Sequence, residues 1–218
     1  MNNETKDTSI ETLHEIRTIM ERSSRFLSLS GWSGIWAGCT ALVGAGIALK
    51  WLNPTFDSSH GLYYYLTEAL YYSDKNILFH LIALGFSIFL IAFIGGIYFT
   101  QRKAKKDGQK LWGKASIQMI GQMATTLAIG AFMILFFIYD GAYQYVGPSC
   151  LIFYGLALIN GSRYTLSDIR YLGFIEVMLG GINLFLPYYT ILFWTTGFGV
   201  LHILYGIIMW NKYERKAV

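Results

Sequence analysis

Glu176 is the only charged residue in the apolar run 171–188, and His202 is the only His, Asp, Glu, Lys or Arg inside the next apolar run. Their neighbours recur at helical spacing. Gly173, Glu176, Gly180 and Asn183 lie three, four and three residues apart, so a helix carries them on one face. Thr195, Gly199, His202 and Gly206 follow at four, three and four, again on one face. A turn near Pro187 to Tyr189 separates the two runs, nearly midway between Glu176 and His202. In an antiparallel hairpin the two side chains therefore reach one depth, ~12–14 Å from the hairpin's charged end at ~1.5 Å per residue. Tyr154 and Gln122 fall near that level on neighbouring helices, and Asn183 extends the Glu176 face.

A lone carboxylate in hydrocarbon costs ~3 kcal/mol or more, so Glu176 must be neutral or paired, and His202 is its partner by depth and face. Three chemistries fit. The first is a proton- or ion-linked site, because a histidine can exchange a proton near neutral pH; Gln122, Tyr154 and Asn183 then supply polar lining. The second is a polar clasp between two helices, worth ~0.6–1.7 kcal/mol. The third is a metal or haem site, but no further ligands share the level, and His80 lies near the opposite end of its own run. No metal and no cofactor is expected. The chain has no H-E-x-x-H, G-x-S-x-G, Walker or C-x-x-C pattern, and no Ser or Cys at the level of the pair, so hydrolytic or ATP-driven chemistry is not expected. Cys39 and Cys150 sit in apolar runs and read as buried free thiols.

The elements that must position these residues follow from composition. The chain has 218 residues, 54% hydrophobic and 14% charged, with a mean hydropathy of +0.42. Soluble domains carry about 25% charged residues, so this chain lacks the surface charge that water requires. A bilayer core of ~30 Å is crossed by ~20 apolar helical residues, and a helix satisfies its own backbone in lipid. Runs 26–49, 76–101, 115–139, 141–162 and 189–211 meet that length without a charge, while 167–187 has a shorter apolar part that includes Glu176. The expectation is an all-α polytopic membrane protein: a cytoplasmic segment 1–25, one six-transmembrane-helix bundle over 26–211, and a cytoplasmic tail 212–218.

Charge sorting supports six crossings. Lys6, Arg17, Arg22 and Arg25 precede the first run; Arg102, Lys103, Lys105, Lys106, Lys110 and Lys114 lie between the second and third. Arg163 and Arg170 lie between the fourth and fifth, and Lys212, Arg215 and Lys216 follow the last. With six spans these 15 of the 17 basic residues share one side, leaving Lys50 and Lys75 opposite. The positive-inside rule then places both termini in the cytoplasm. Arg22, Arg25, Arg102, Lys103, Lys105, Lys106, Arg163 and Arg170 are expected to meet lipid headgroups of the inner leaflet. The net charge of +4 thus marks orientation, and no nucleic acid is expected as a partner. Residues 1–9, polar and partly acidic, lack the order of a cleaved signal peptide.

Thr8 and Glu11 form a helix-start signal, and Ile10, Leu13, Ile16 and Met20 follow at helical spacing, which predicts an amphipathic interfacial helix before the first span. The outer loop 53–75 is rich in tyrosine (Tyr63, Tyr64, Tyr65, Tyr71 and Tyr72), as headgroup-level anchors or as a cap over the bundle. Ser30, Gly34, Gly38, Ala41 and Ala45 make a small-residue stripe on helix 1. It serves tight packing inside the bundle, or a homo-oligomer contact through Gly34 and Gly38. Gln118, Gln122 and Thr125 form a polar stripe on helix 3, lining a watery vestibule or bonding between helices. Thr165 and Asp168 are placed to cap helix 5.

The run Met20-Glu-Arg-Ser-Ser-Arg-Phe-Leu-Ser-Leu-Ser-Gly31, with Gly34, Ala37 and Gly38, resembles the openings of uncharacterised bacterial inner-membrane proteins. That resemblance implies a bacterial cytoplasmic membrane setting and carries no activity. The leading functional expectation is movement of an unknown small solute or ion with Glu176 and His202 as the titrating pair. A membrane-embedded sensor, scaffold or assembly partner is the first alternative, and a haem- or metal-binding redox subunit the second.

Overall fold

The computed structural model of the chain describes residues 29–52, 75–108 and 112–215. The segment 1–25 with its predicted interfacial helix, Arg22, Arg25 and the tyrosine-rich part of the outer loop lie outside the described residues. Those described are helical, with no strand among them. We label the helices α1 (Gly31–Leu52), α2 (Lys75–Lys106), α3 (Lys114–Tyr139), α4 (Val146–Gly161) and α5 (Ile169–Phe185). A last rod, α6, runs without a break through Thr190–Trp194, Thr195–Leu201, His202–Met209 and Trp210–Glu214, the second and fourth of these being wider π turns.

Stretches Gly31–Trp51, Phe79–Lys106, Lys114–Tyr139 and Pro187–Glu214 are long and apolar enough to cross a membrane. α4 and α5, with 16 and 17 residues, are ~24–26 Å long at ~1.5 Å per residue, just short of a full bilayer core. The predicted fourth run began at 141. In the structure a 3₁₀ turn over Tyr143–Tyr145 precedes α4, and the Gly141 backbone has a positive φ of 75°, so the chain turns before the helix starts. α2 instead outlasts its apolar run by a turn, since Arg102, Lys103, Lys105 and Lys106 continue the helix beyond the hydrocarbon-like stretch.

Two trios of helices share one seam. α1 packs on α2 and on α6; α4 packs on α3 and on α5. α6 is the member of the first trio that also meets α4 and α5. Glycines set the closest approaches. A Cβ at Gly38 would stand 2.6 Å from the Gly199 carbonyl oxygen, and one at Gly206 would stand 2.6 Å from that of Gly31, so α1 and α6 touch backbone to backbone. Gly155 and Gly173 do the same for α4 and α5. The helix 1 stripe is therefore taken up within the chain: a homo-oligomer contact through Gly34 and Gly38 does not fit, because α6 occupies that face.

The outer surface is apolar. Phe79, Val43, Ile94, Phe132, Leu135 and Phe185 are all largely exposed. A face of this kind would aggregate in water, and it suits hydrocarbon. At the charged end of the bundle, Leu158, Leu166, Ile169, Leu172 and Met209 form a buried plug across α4, α5 and α6. Two carboxylates tie the helix ends above that plug. Glu214 Oε1 accepts from the Gly31 backbone N–H at 2.6 Å and from Ser30 Oγ at 3.2 Å, with Lys103 Nζ 3.9 Å away. Asp168 Oδ2 accepts from Lys212 Nζ at 2.6 Å and Tyr213 Oη at 2.9 Å.

Candidate functional site: a buried carboxyl at the seam

Glu176 points from α5 into the seam and is fully buried, as is Asn183 two turns further along. α6 makes room for it with a glycine. A Cβ on Gly197 would stand 2.5 Å from Glu176 Oε2 and 2.6 Å from Leu151 Cδ2, so a side chain here would occupy the carboxyl's place. The same residue supplies an acceptor: His202 Nδ1 lies 2.9 Å from the Gly197 carbonyl oxygen. On the other side of the ring, Nε2 is 2.7 Å from Tyr154 Oη of α4. Phe198 stacks on His202, and Trp194 packs on Phe198, closing the flank of the cluster with aromatic rings.

This geometry fixes the protons. A carbonyl only accepts, so Nδ1 carries hydrogen, and in neutral His202 the Nε2 lone pair accepts from the Tyr154 hydroxyl. Glu176 Oε1 is 3.5 Å from Nδ1, inside ion-pair range but outside a good hydrogen bond. Neither Glu176 oxygen has a hydrogen-bond partner among the described residues. An anion deprived of both water and donors costs several kcal/mol, so the neutral acid is the form that fits this packing. A proton passed through Tyr154 Oη to Nε2 would make an imidazolium. Its Nδ1 proton then has two competing acceptors, the Gly197 carbonyl and Glu176, and ionised Glu176 would win by charge.

The structure brings together Glu176, His202 and Tyr154. It places Asn183 on the same face of α5, but there Nδ2 donates to the Leu186 carbonyl and to Thr190 Oγ1, bracing the α5–α6 turn. Gln122 does not join the cluster. It is exposed at the flank of α3, one turn from Thr126, which faces inward and accepts from Asn160 Nδ2 at 2.9 Å. Spacing alone could not choose between two positions a turn apart. His80 is exposed beside Trp51, far along the sequence from this cluster and on α2, which packs on α1. No group of three His, Cys, Asp or Glu side chains is placed to hold a metal among the described residues.

Two expectations at the charged end need correction. Lys103 is not spread toward headgroups: it turns inward, donating to the Leu29 carbonyl at 2.8 Å beside Glu214. Arg102, Lys105, Lys106, Arg163 and Arg170 are exposed. Asp168 stands at the start of α5, yet its side chain makes no cap bond, because Lys212 and Tyr213 have claimed it. Burial acts to raise the Asp168 carboxyl, but the bonds from Lys212 and Tyr213 and the charge of Lys212 outweigh it and hold the group below its ordinary value.

Sequence reasoning missed Gly197. It lies five residues before His202, a spacing that shares a face only in a π turn. The signal that could have found it is the crowding of Gly197 and Gly199 just ahead of an intramembrane histidine. In the folded rod Gly199 and Gly206 face α1, while Gly197 and His202 face α5 and α4, so the predicted single face is divided. No protein-family model matches this chain, and neither does any curated protein or solved structure.

Proposed function

We propose that this chain is a six-span protein of the bacterial cytoplasmic membrane, with both termini inside, that binds a proton at Glu176 and couples it to the movement of a small solute or ion. The observation that supports the reading is the fully buried carboxyl with two unbonded oxygens at the seam between two helix trios. Ionising Glu176 in place is unfavourable, so losing its proton must come with a change: His202 charges, water enters, or α6 moves off α5. That is a two-state element whose balance a proton shifts. Tyr154 and His202 form the donor chain, and Gly197 leaves space for the acid. α4 and α5 cross as the short, glycine-packed pair inside the bundle, where neighbouring helices and local thinning of the bilayer offset their length.

A second reading has its own support. The apolar plug of Leu158, Leu172 and Met209 separates Glu176 from the charged end, which suits a sensor in which the proton changes packing without any through-path. Flux separates the two. In proteoliposomes holding a pH-sensitive dye, the transport reading expects the wild type to dissipate an imposed pH gradient and Glu176→Gln to be at the level of empty vesicles. Equal flux from both proteins would reject Glu176 as the proton site. No flux from either, with a pH-dependent change in Trp194 fluorescence that Glu176→Gln abolishes, would favour the sensor.

A further inference from the structure

α3 carries unpartnered amides on the outside of the bundle. It packs on α4 and the 3₁₀ turns at either end of α4, and far less of its apolar length is buried than of Pro187–Glu214. Its inward side is Ser116, Met119, Met123, Thr126 and Gly130. Gln118, Gln122 and Thr125 flank that side and are exposed. Thr125 Oγ1 donates to the Gly121 carbonyl within its own helix. Gln118 and Gln122 have no side-chain partner among the described residues.

That placement is costly in lipid. Gln122 stands eight residues past Lys114, ~12 Å along the helix, which is still within the ~15 Å half-thickness of a bilayer core. A primary amide has two donors and an acceptor to satisfy, and acyl chains offer neither. Bonds between helices are the available remedy. Next to the amides, a Cβ at Gly121 would meet nothing within 4 Å, so another backbone can approach closely there.

We infer that α3 is the self-association surface of this protein: two copies pack α3 against α3 about a twofold axis along the membrane normal, with the Gln118 and Gln122 amides bonding to their counterparts. A second copy fits better than any other occupant for a physical reason. Every copy crosses the membrane in the same direction, so paired α3 helices are parallel and equal residues meet at equal depth. An amide is its own complement, donating with one end and accepting with the other. A twofold contact of this kind closes on itself and leaves no unsatisfied patch. The argument is independent of the proton site.

Two measurements on the full chain test it. In a Cys39→Ala, Cys150→Ala background, Thr125→Cys should form a disulfide-linked dimer when native membranes are oxidised, and Val43→Cys, on the exposed face of α1, should not. Single-molecule photobleaching counts in dilute liposomes should give mostly two steps for the wild type, and the double variant Gln118→Leu, Gln122→Leu should dissociate at least tenfold more readily. A monomeric wild type overturns the inference. So does equal cross-linking at both positions, cross-linking of Thr125→Cys to a different protein alone, or a Leu variant that associates as tightly as the wild type.

Discussion

Glu214 and Glu176 are the same side chain in opposite circumstances. Glu214, partly exposed at the charged end, accepts from Ser30 and the Gly31 amide and stands beside Lys103. Glu176, fully buried at the seam, has an imidazole 3.5 Å away and no hydrogen bond to either oxygen among the described residues. The first satisfies the start of α1, where free backbone donors and the helix dipole favour an anion, so its role is explained by what it holds together. The second makes no bond that stabilises the fold. A buried polar group without partners calls for an explanation; the contrast gives one carboxylate an architectural role and leaves the other as the group on which the proposed proton binding rests.

The sharpest way to break the comparison is to remove the paired acid. Glu214→Ala leaves the Gly31 amide and Ser30 without their acceptor and Lys103 without its neighbouring charge, and should cost about 1–3 kcal/mol, read as a lower unfolding midpoint in detergent. A midpoint unchanged from wild type would show that the clamp at α1 is not what it appears from its bonds. Asp168→Asn comes next, at under about 1 kcal/mol, because its partner Lys212 is half exposed to solvent screening. Its pH dependence has a definite sign. The folded value is depressed, so the clamp contributes fully above the unfolded value of about 4 and is lost as pH falls through the folded one. Wild type and Asp168→Asn should therefore differ at neutral pH and converge in acid. A gap that does not begin to narrow as pH falls below about 4 contradicts the assignment. Smallest of all should be Glu176→Gln, which exchanges one neutral, unbonded group for another of the same size and should lower the neutral-pH midpoint less than either clamp variant. A loss as large as that of Glu214→Ala would make Glu176 a structural clasp.

Much of the scaffold could be read from the letters. Long uncharged runs become α1, α2, α3 and α6 because hydrocarbon length and backbone satisfaction leave a chain few options. The meeting of Glu176 with His202 followed from equal distances to the turn at Pro187, and Tyr154 from depth alone. Faces were harder. Gln122 and Thr126 are one turn apart on α3, both polar and both at plausible depth, and only the packing of α3 on α4 selects Thr126 for the inside. The π turn over Thr195–Leu201 was illegible for a related reason: a period of 3.6 assumes a uniform helix, and a local widening shifts every later side chain around the rod. Lys103 shows the same limit for charge. Counting it toward one side of the membrane says nothing of whether it reaches outward or folds back onto Leu29.

The bond from Gly31 to Glu214 spans 183 positions of sequence, and this sets a schedule for biogenesis. α1 leaves the ribosome with its opening amide uncapped, and the acceptor that completes it follows 183 residues later. Locking this end of the bundle therefore waits for delivery of α6. A nascent polypeptide interrupted before residue 214 would present a first helix whose opening amide lacks its carboxylate.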